Sequence, residues 1–130
     1  MYIGGNLAEA SAELKSTPNL KWPLLPTGTE LVQPGTDLKP GDIVEYNTRV
    51  FGSLVQTWGG EPLRWPITID NWEKLKQSIM EALEKADIVV INAGSSAGRE
   101  DFTAELVRQL GTVLTHGAAI KPGKPVIRGK

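Results

Sequence analysis

The amino-acid sequence predicts a three-layer α/β/α sandwich built on a mostly parallel sheet. Three observations carry this expectation. The unbroken run Ile88-Val89-Val90-Ile91 suits a strand covered on both faces, as parallel strands are. Just before it, Trp72, Leu75, Ile79 and Leu83 fall on one stripe of a helix, with Met80 beside them. Strand-like and helical segments then alternate along the chain, the pattern of a sheet with helices on both sides. The 130 residues match one domain, which buries about two-thirds of its unfolded surface without staples.

Residues 1–19 read as a loosely attached or non-native leader: Leu7, Leu14 and several alanines allow a short helix, which Pro18 ends. Residues 20–130 form the domain. Leu20–Leu25 is a short strand, provided Pro23 sits at an edge or where its missing N–H is harmless. Residues 33–42, QPGTDLKPGD, are a turn-rich loop with two Pro-Gly pairs. Asn47–Trp58 has helical spacing, with Val50, Phe51, Leu54, Val55 and Trp58 on the inward side, and Gly59-Gly60 stops it. Leu63–Ile67 is a second short strand despite Pro66. Asp70 or Asn71 caps the clearest helix. After the buried strand and a glycine-serine loop comes a helix from about Asp101 to Leu110. Extended pieces at 112–115 and 126–127 flank the turn KPGKP.

Composition excludes several classes of function. The chain has no cysteine, so disulfides, zinc–thiolate sites and a cysteine nucleophile are ruled out and a reducing cytoplasm is the expected setting. A formal charge of -1 gives no basic field for nucleic acid. No apolar run approaches the roughly 20 residues that span a bilayer, and the amino terminus lacks a signal peptide's charged and apolar regions. The lone His116 has no metal-ligand partner at usable spacing.

In a parallel sheet, ligands bind beyond the carboxyl ends of the strands, and that rule selects four loops. Pro26-Thr27-Gly28-Thr29-Glu30 combines a glycine that lets backbone N–H groups approach an anion with two hydroxyls; a plain turn explains it equally. Asn92–Asp101, with Gly94, Ser95, Ser96 and Gly98, is the best phosphate cradle in the chain, because the next helix aims free N–H groups at it. It has neither a Walker lysine nor dinucleotide glycine spacing. Read from the residues alone, Asp101 is a helix cap, since a carboxylate repels a phosphate unless a cation lies between them. Glu45 and Asn47 stand at a helix start, as dipole partner and cap. Lys121-Pro122-Gly123-Lys124-Pro125 is a stiffened turn with two cations.

Taken together and in this order, the segments PTGTELVQPG, LKPGDIVEYN, ADIVVINAGSSAGREDFT and HGAAIKPGKPV resemble the molybdopterin-binding domain of molybdopterin molybdenumtransferases, the MoeA and gephyrin E-domain family. The resemblance covers roughly residues 24–129 and is closest to a branch carrying an extra domain of the periplasmic or LysR ligand-binding type. It implies a cytoplasmic role in molybdenum cofactor biosynthesis: binding adenylylated molybdopterin for molybdate insertion, with Mg2+ assisting. It also implies that Thr27, Gly28, Glu30, Asn47, Gly94, Ser95, Ser96, Gly98, Pro122 and Lys124 line the pterin-phosphate site. Asp101 and Glu45 then become the catalytic and metal-binding carboxylates. Departures from the family pattern are Glu45 in place of an aspartate, and Ala93 and Ser95 in place of glycine and valine. A Gly-Leu-Pro-Gly-Asn-Pro segment and further domains, through which a parent would dimerise, are absent from the 130 residues, so a truncated and inactive domain is expected. Alternatives are a molybdopterin adenylyltransferase, a competence-damage-inducible-type nucleotide-processing domain, or a non-catalytic scaffold.

Overall fold

The computed structural model describes residues 2–3, 19–93, 97–117, 119 and 126–130. Among the described residues, eight strands, β1 Tyr2–Ile3, β2 Lys21–Thr27, β3 Leu31–Val32, β4 Ile43–Val44, β5 Glu61–Arg64, β6 Val90–Ala93, β7 Val113–His116 and β8 Ile127–Gly129, alternate with three helices. These are α1 Asn47–Thr57, α2 Trp72–Leu83 and α3 Ala97–Leu110. Six strands form one sheet in the order β5-β2-β6-β1-β8-β7, and β3 pairs with β4 in a small second sheet. β5, β2, β6 and β1 run parallel, whereas β8 is antiparallel to both β1 and β7.

Period-two alternation explains the layers. Leu25, Val89 and Ile91 pack on one side against Leu75, Ile79 and Ala82 of α2 and Ala104, Leu106 and Val107 of α3. Trp22, Leu24, Ile88 and Val90 point the other way and pack with Val55 of α1. An uninterrupted apolar run thus feeds two cores, as expected of a strand covered on both faces. The rings of Trp72 and Phe102, edge-to-face with centroids 5.0 Å apart, bridge α2 and α3.

Several expectations need correction. Pro23 does not: of the two placements open to it, it takes the second, since β2 lies between β5 and β6 rather than at an edge. It is tolerated because the β6 ladder begins only at Val90, opposite Leu24, one residue beyond the proline. Pro26 likewise lies past the end of β5, which pairs only as far as Leu24. β5 stops at Arg64 and excludes Pro66. On α1 the buried residues are Thr48, Gly52 and Val55, while Val50 and Leu54 face solvent. Gly52 faces Pro62 and Leu24, where a Cβ would stand in ordinary contact, 3.7 and 3.8 Å from the two side chains. Met80 and Leu83 of α2 are exposed too. Gly59 ends α1 at a φ of 81°, a left-handed turn that suits glycine. The segment read as a loose leader supplies Tyr2–Ile3 as β1, between β6 and β8, a stretch too short to show periodicity. Its residues 4–18 lie outside the described residues.

Candidate functional site

Strand register assembles the site. Thr27, the last residue of β2, is the register partner of Ala93, the last residue of β6. The Thr27–Glu30 loop therefore leaves the sheet beside the end of β6, at the carboxyl end of both strands. α3 opens at Ala97, only three residues beyond the strand, so its unpaired first-turn N–H groups sit at this same mouth. Gly94, Ser95, Ser96, Pro122 and Lys124 lie outside the described residues.

The helix begins four residues earlier than the sequence suggested. Gly98 and Asp101 are its second and fifth residues, so Gly98 belongs to the first turn and Asp101 is not the N-cap. A glycine costs a helix only about 1 kcal/mol, and acidic residues near the amino end favour extension in that direction. Once Asp101 loses the capping explanation, its backbone position on the first turns of α3 is what links it to the mouth.

The PTG loop is not the anion cradle its residues suggested. The Gly28 N–H donates to the Thr68 carbonyl at 3.0 Å, and the Thr29 N–H donates to Asp70 Oδ2 at 3.3 Å. Both donors are thus spent within the protein. Gly28 is buried, and a Cβ there would come within 3.0 Å of Glu30 Oε2 and 3.1 Å of Leu31 Cγ. The Glu30 side chain folds back over the glycine, so a Cβ there would have to push its carboxylate and Leu31 aside by a few tenths of an ångström. Thr27 is buried as well.

Glu30 and Glu45 stand at opposite ends of the β3–β4 ladder, which pairs Leu31 with Ile43 and Val32 with Val44. The Glu30 carbonyl accepts from the Ile43 N–H at 2.8 Å, and the Glu45 N–H donates to Val32. The Glu45 side chain is 5 % exposed. Its Oε1 accepts the Thr48 N–H at 2.9 Å and its Oε2 accepts the Thr48 hydroxyl at 2.7 Å. This carboxylate caps α1. Asn47, expected to be the cap, is instead the first helical residue after Tyr46.

Among the described residues, no group of three or more His, Cys, Asp or Glu could hold a metal ion. Glu45, with both oxygens turned to Thr48, fits the helix end better than a cation. Asp101's side chain lies outside the described residues. Sequence reasoning missed a further loop at this mouth, residues 68–70, which contacts the PTG loop through Thr68 and Asp70. The signal is that segment's place after β5, where Asp70 otherwise serves only as a candidate helix cap.

Residues 24–130 match the family model described as a probable molybdopterin binding domain. The molybdopterin molybdenumtransferase of Haemophilus influenzae is 34 % identical over 119 residues, covering 92 % of this chain and 30 % of that protein. The protein of the same name from Nostoc is 36 % identical over 101 residues, covering 77 % of this chain and 23 % of its own length. The crystal structure of the molybdopterin biosynthesis MoeA protein from Pyrococcus horikosii superposes with a TM-score of 0.76 at 40 % identity, over 85 % of this chain and 27 % of that one. The chain therefore spans less than a third of each of these proteins.

Proposed function

Because the chain belongs to the molybdopterin-binding domain family of molybdenum cofactor biosynthesis, we propose that it holds adenylylated molybdopterin at the carboxyl end of β2 and β6. The observation that carries this reading is the Thr27–Ala93 register, which ends β2 and β6 side by side at the carboxyl end of the sheet, shortly before α3 opens at Ala97. Gly94, Ser95, Ser96 and Gly98 offer main-chain amides and hydroxyls to the phosphate groups. Thr27, Gly28 and Glu30 form the adjoining wall. Asn47 and the Pro122–Lys124 turn contribute at the rim, with Lys124 as a cation for the anionic ligand.

In this reading Asp101 is the carboxylate nearest the reacting phosphate. Asp101 would hold Mg2+, which would supply charge neutralisation for the phosphate groups, and molybdate would be the substrate that a full-length relative inserts. Glu45 holds the first turn of α1, and with it Asn47, in place. Oriented groups from several elements are needed for turnover, and the relatives named for the transferase activity are several times longer than this chain. The isolated chain therefore binds the ligand without inserting molybdenum. In a full-length parent, a homodimer would supply the remaining groups.

Isothermal titration with adenylylated molybdopterin and Mg2+ is the test. Saturable heat from this chain supports the reading, and no heat from this chain or from a full-length relative refutes it. Measured molybdenum insertion by the isolated chain would overturn the claim that it binds without turnover.

A further inference from the structure

We propose that residues 68–70 are a positioning clamp for the PTG loop, with Asp70 acting through Thr29; the ligand part of this inference rests on the function proposed above. Thr68 grips both sides of Thr27. Its N–H donates to the Pro26 carbonyl at 2.9 Å, and its carbonyl accepts the Gly28 N–H at 3.0 Å. The two threonines are also register partners in a parallel bridge. The Thr68 hydroxyl lies 3.2 Å from that of Ser78, which ties the clamp to α2. One residue further along the loop, the Thr29 N–H and hydroxyl point to Asp70 Oδ2 at 3.3 and 3.4 Å. The Asp70 N–H returns a bond to the Thr29 hydroxyl at 3.3 Å.

The clamp thus holds the loop on both sides of Gly28, the residue over which Glu30 folds. Its inner half is buried and its outer half is exposed, since Thr27 and Thr68 are buried whereas Thr29 and Asp70 are open to solvent. The inner half belongs to the core of the sheet. The outer half contributes little to global stability because its bonds compete with water. What it does is fix the direction in which the loop leaves the strand, and so where Gly28 and Glu30 stand relative to Ala93. Asp70 is a positioning residue, not a ligand-binding one.

The test compares the full chain with Asp70→Ala and Asp70→Asn. The asparagine keeps an oxygen that can accept from Thr29, whereas alanine does not. In the ligand-free protein, amide exchange at Thr29 should rise about five-fold in Asp70→Ala, as for the loss of one net hydrogen bond, and return towards wild type in Asp70→Asn. Affinity for adenylylated molybdopterin with Mg2+ should fall by a similar factor in the alanine variant alone, while the melting temperatures of all three proteins stay together. Unchanged exchange in Asp70→Ala overturns the clamp, whatever the ligand does. Faster exchange with unchanged affinity overturns the positioning role. Tighter binding by Asp70→Ala overturns it as well, and would mean that the carboxylate competes with the ligand for the loop's donors. An asparagine variant that behaves like alanine would show that charge, not geometry, is at work. No binding by the wild-type chain refutes the ligand reading and removes the positioning role with it, leaving exchange to judge the clamp alone.

Discussion

Replacing Glu45 with alanine removes a buried carboxylate that accepts two hydrogen bonds from Thr48, at 2.9 and 2.7 Å. Each is charge-assisted, a class with a net worth of about 1.5–3 kcal/mol when buried. Loss of a helix cap costs roughly 0.5–2 kcal/mol, but that figure counts the same bonds, so the two do not add. Two such bonds set an upper bound of about 3–6 kcal/mol; the variant is also relieved of the cost of burying the carboxylate, which leaves an expected destabilisation of about 2–3 kcal/mol. In urea unfolding this should lower the midpoint with the m-value unchanged. Glu45→Gln keeps an acceptor for the Thr48 N–H and should cost about 1 kcal/mol or less. A double-mutant cycle with Thr48→Ala should return a coupling of about 1–2 kcal/mol. An alanine variant within about 0.5 kcal/mol of wild type, or a cycle with no coupling, would refute the capping argument. A rise in wild-type melting temperature on adding Mg2+ that vanishes in Glu45→Gln would instead give this carboxylate to a cation.

The two faces of α2 should respond oppositely to truncation. Ile79→Ala, in a fully buried position, should cost about 3–4 kcal/mol, and Met80→Ala, half exposed next to it, less than about 0.5 kcal/mol; chemical denaturation distinguishes them. Asn71 Oδ1 accepts the Lys74 N–H at 3.1 Å, so Asn71→Ala should cost about 1 kcal/mol and Asn71→Asp little, as read from thermal unfolding. At Gly111 an added Cβ would collide with the Lys130 carbonyl. Gly111→Ala should therefore weaken the junction of α3 and β7 by about 1–3 kcal/mol, visible as faster amide exchange at Thr112 and Lys130, which pair with each other.

The fold was legible where apolar residues repeat over a long stretch. The run at 88–91 and the stripe on α2 specified their elements and most of their burial. What was not legible came from contacts distant in sequence. Val50 and Leu54 matched a helical stripe, yet Thr48 and Gly52 are the buried residues, Gly52 facing Leu24 and Pro62, which no local pattern encodes. Pro23 left two placements open, because the ends of the neighbouring ladders cannot be read from its own strand. For the site, the sequence pointed to the carboxyl end of the sheet, where the register ends β2 at Thr27 beside the end of β6 at Ala93. It left the first loop open between an anion site and a plain turn, since a glycine flanked by threonines does not reveal that Thr68 and Asp70 accept the Gly28 and Thr29 N–H groups.

The position of β1 bears on how the molecule assembles. Tyr2–Ile3 pairs with β6 on one side and β8 on the other, so adjacent strands come from opposite ends of the sequence. Closing so long a loop costs entropy before any pairing rewards it, and topologies dominated by distant contacts fold slowly. The β5–β2–β6 portion, with α1 and α2 already packed on it, can form first, and the β7–β8 hairpin is then joined to it through the opening residues. Refolding followed by pulse-labelled exchange should accordingly protect Leu25 and Ile91 before Arg128.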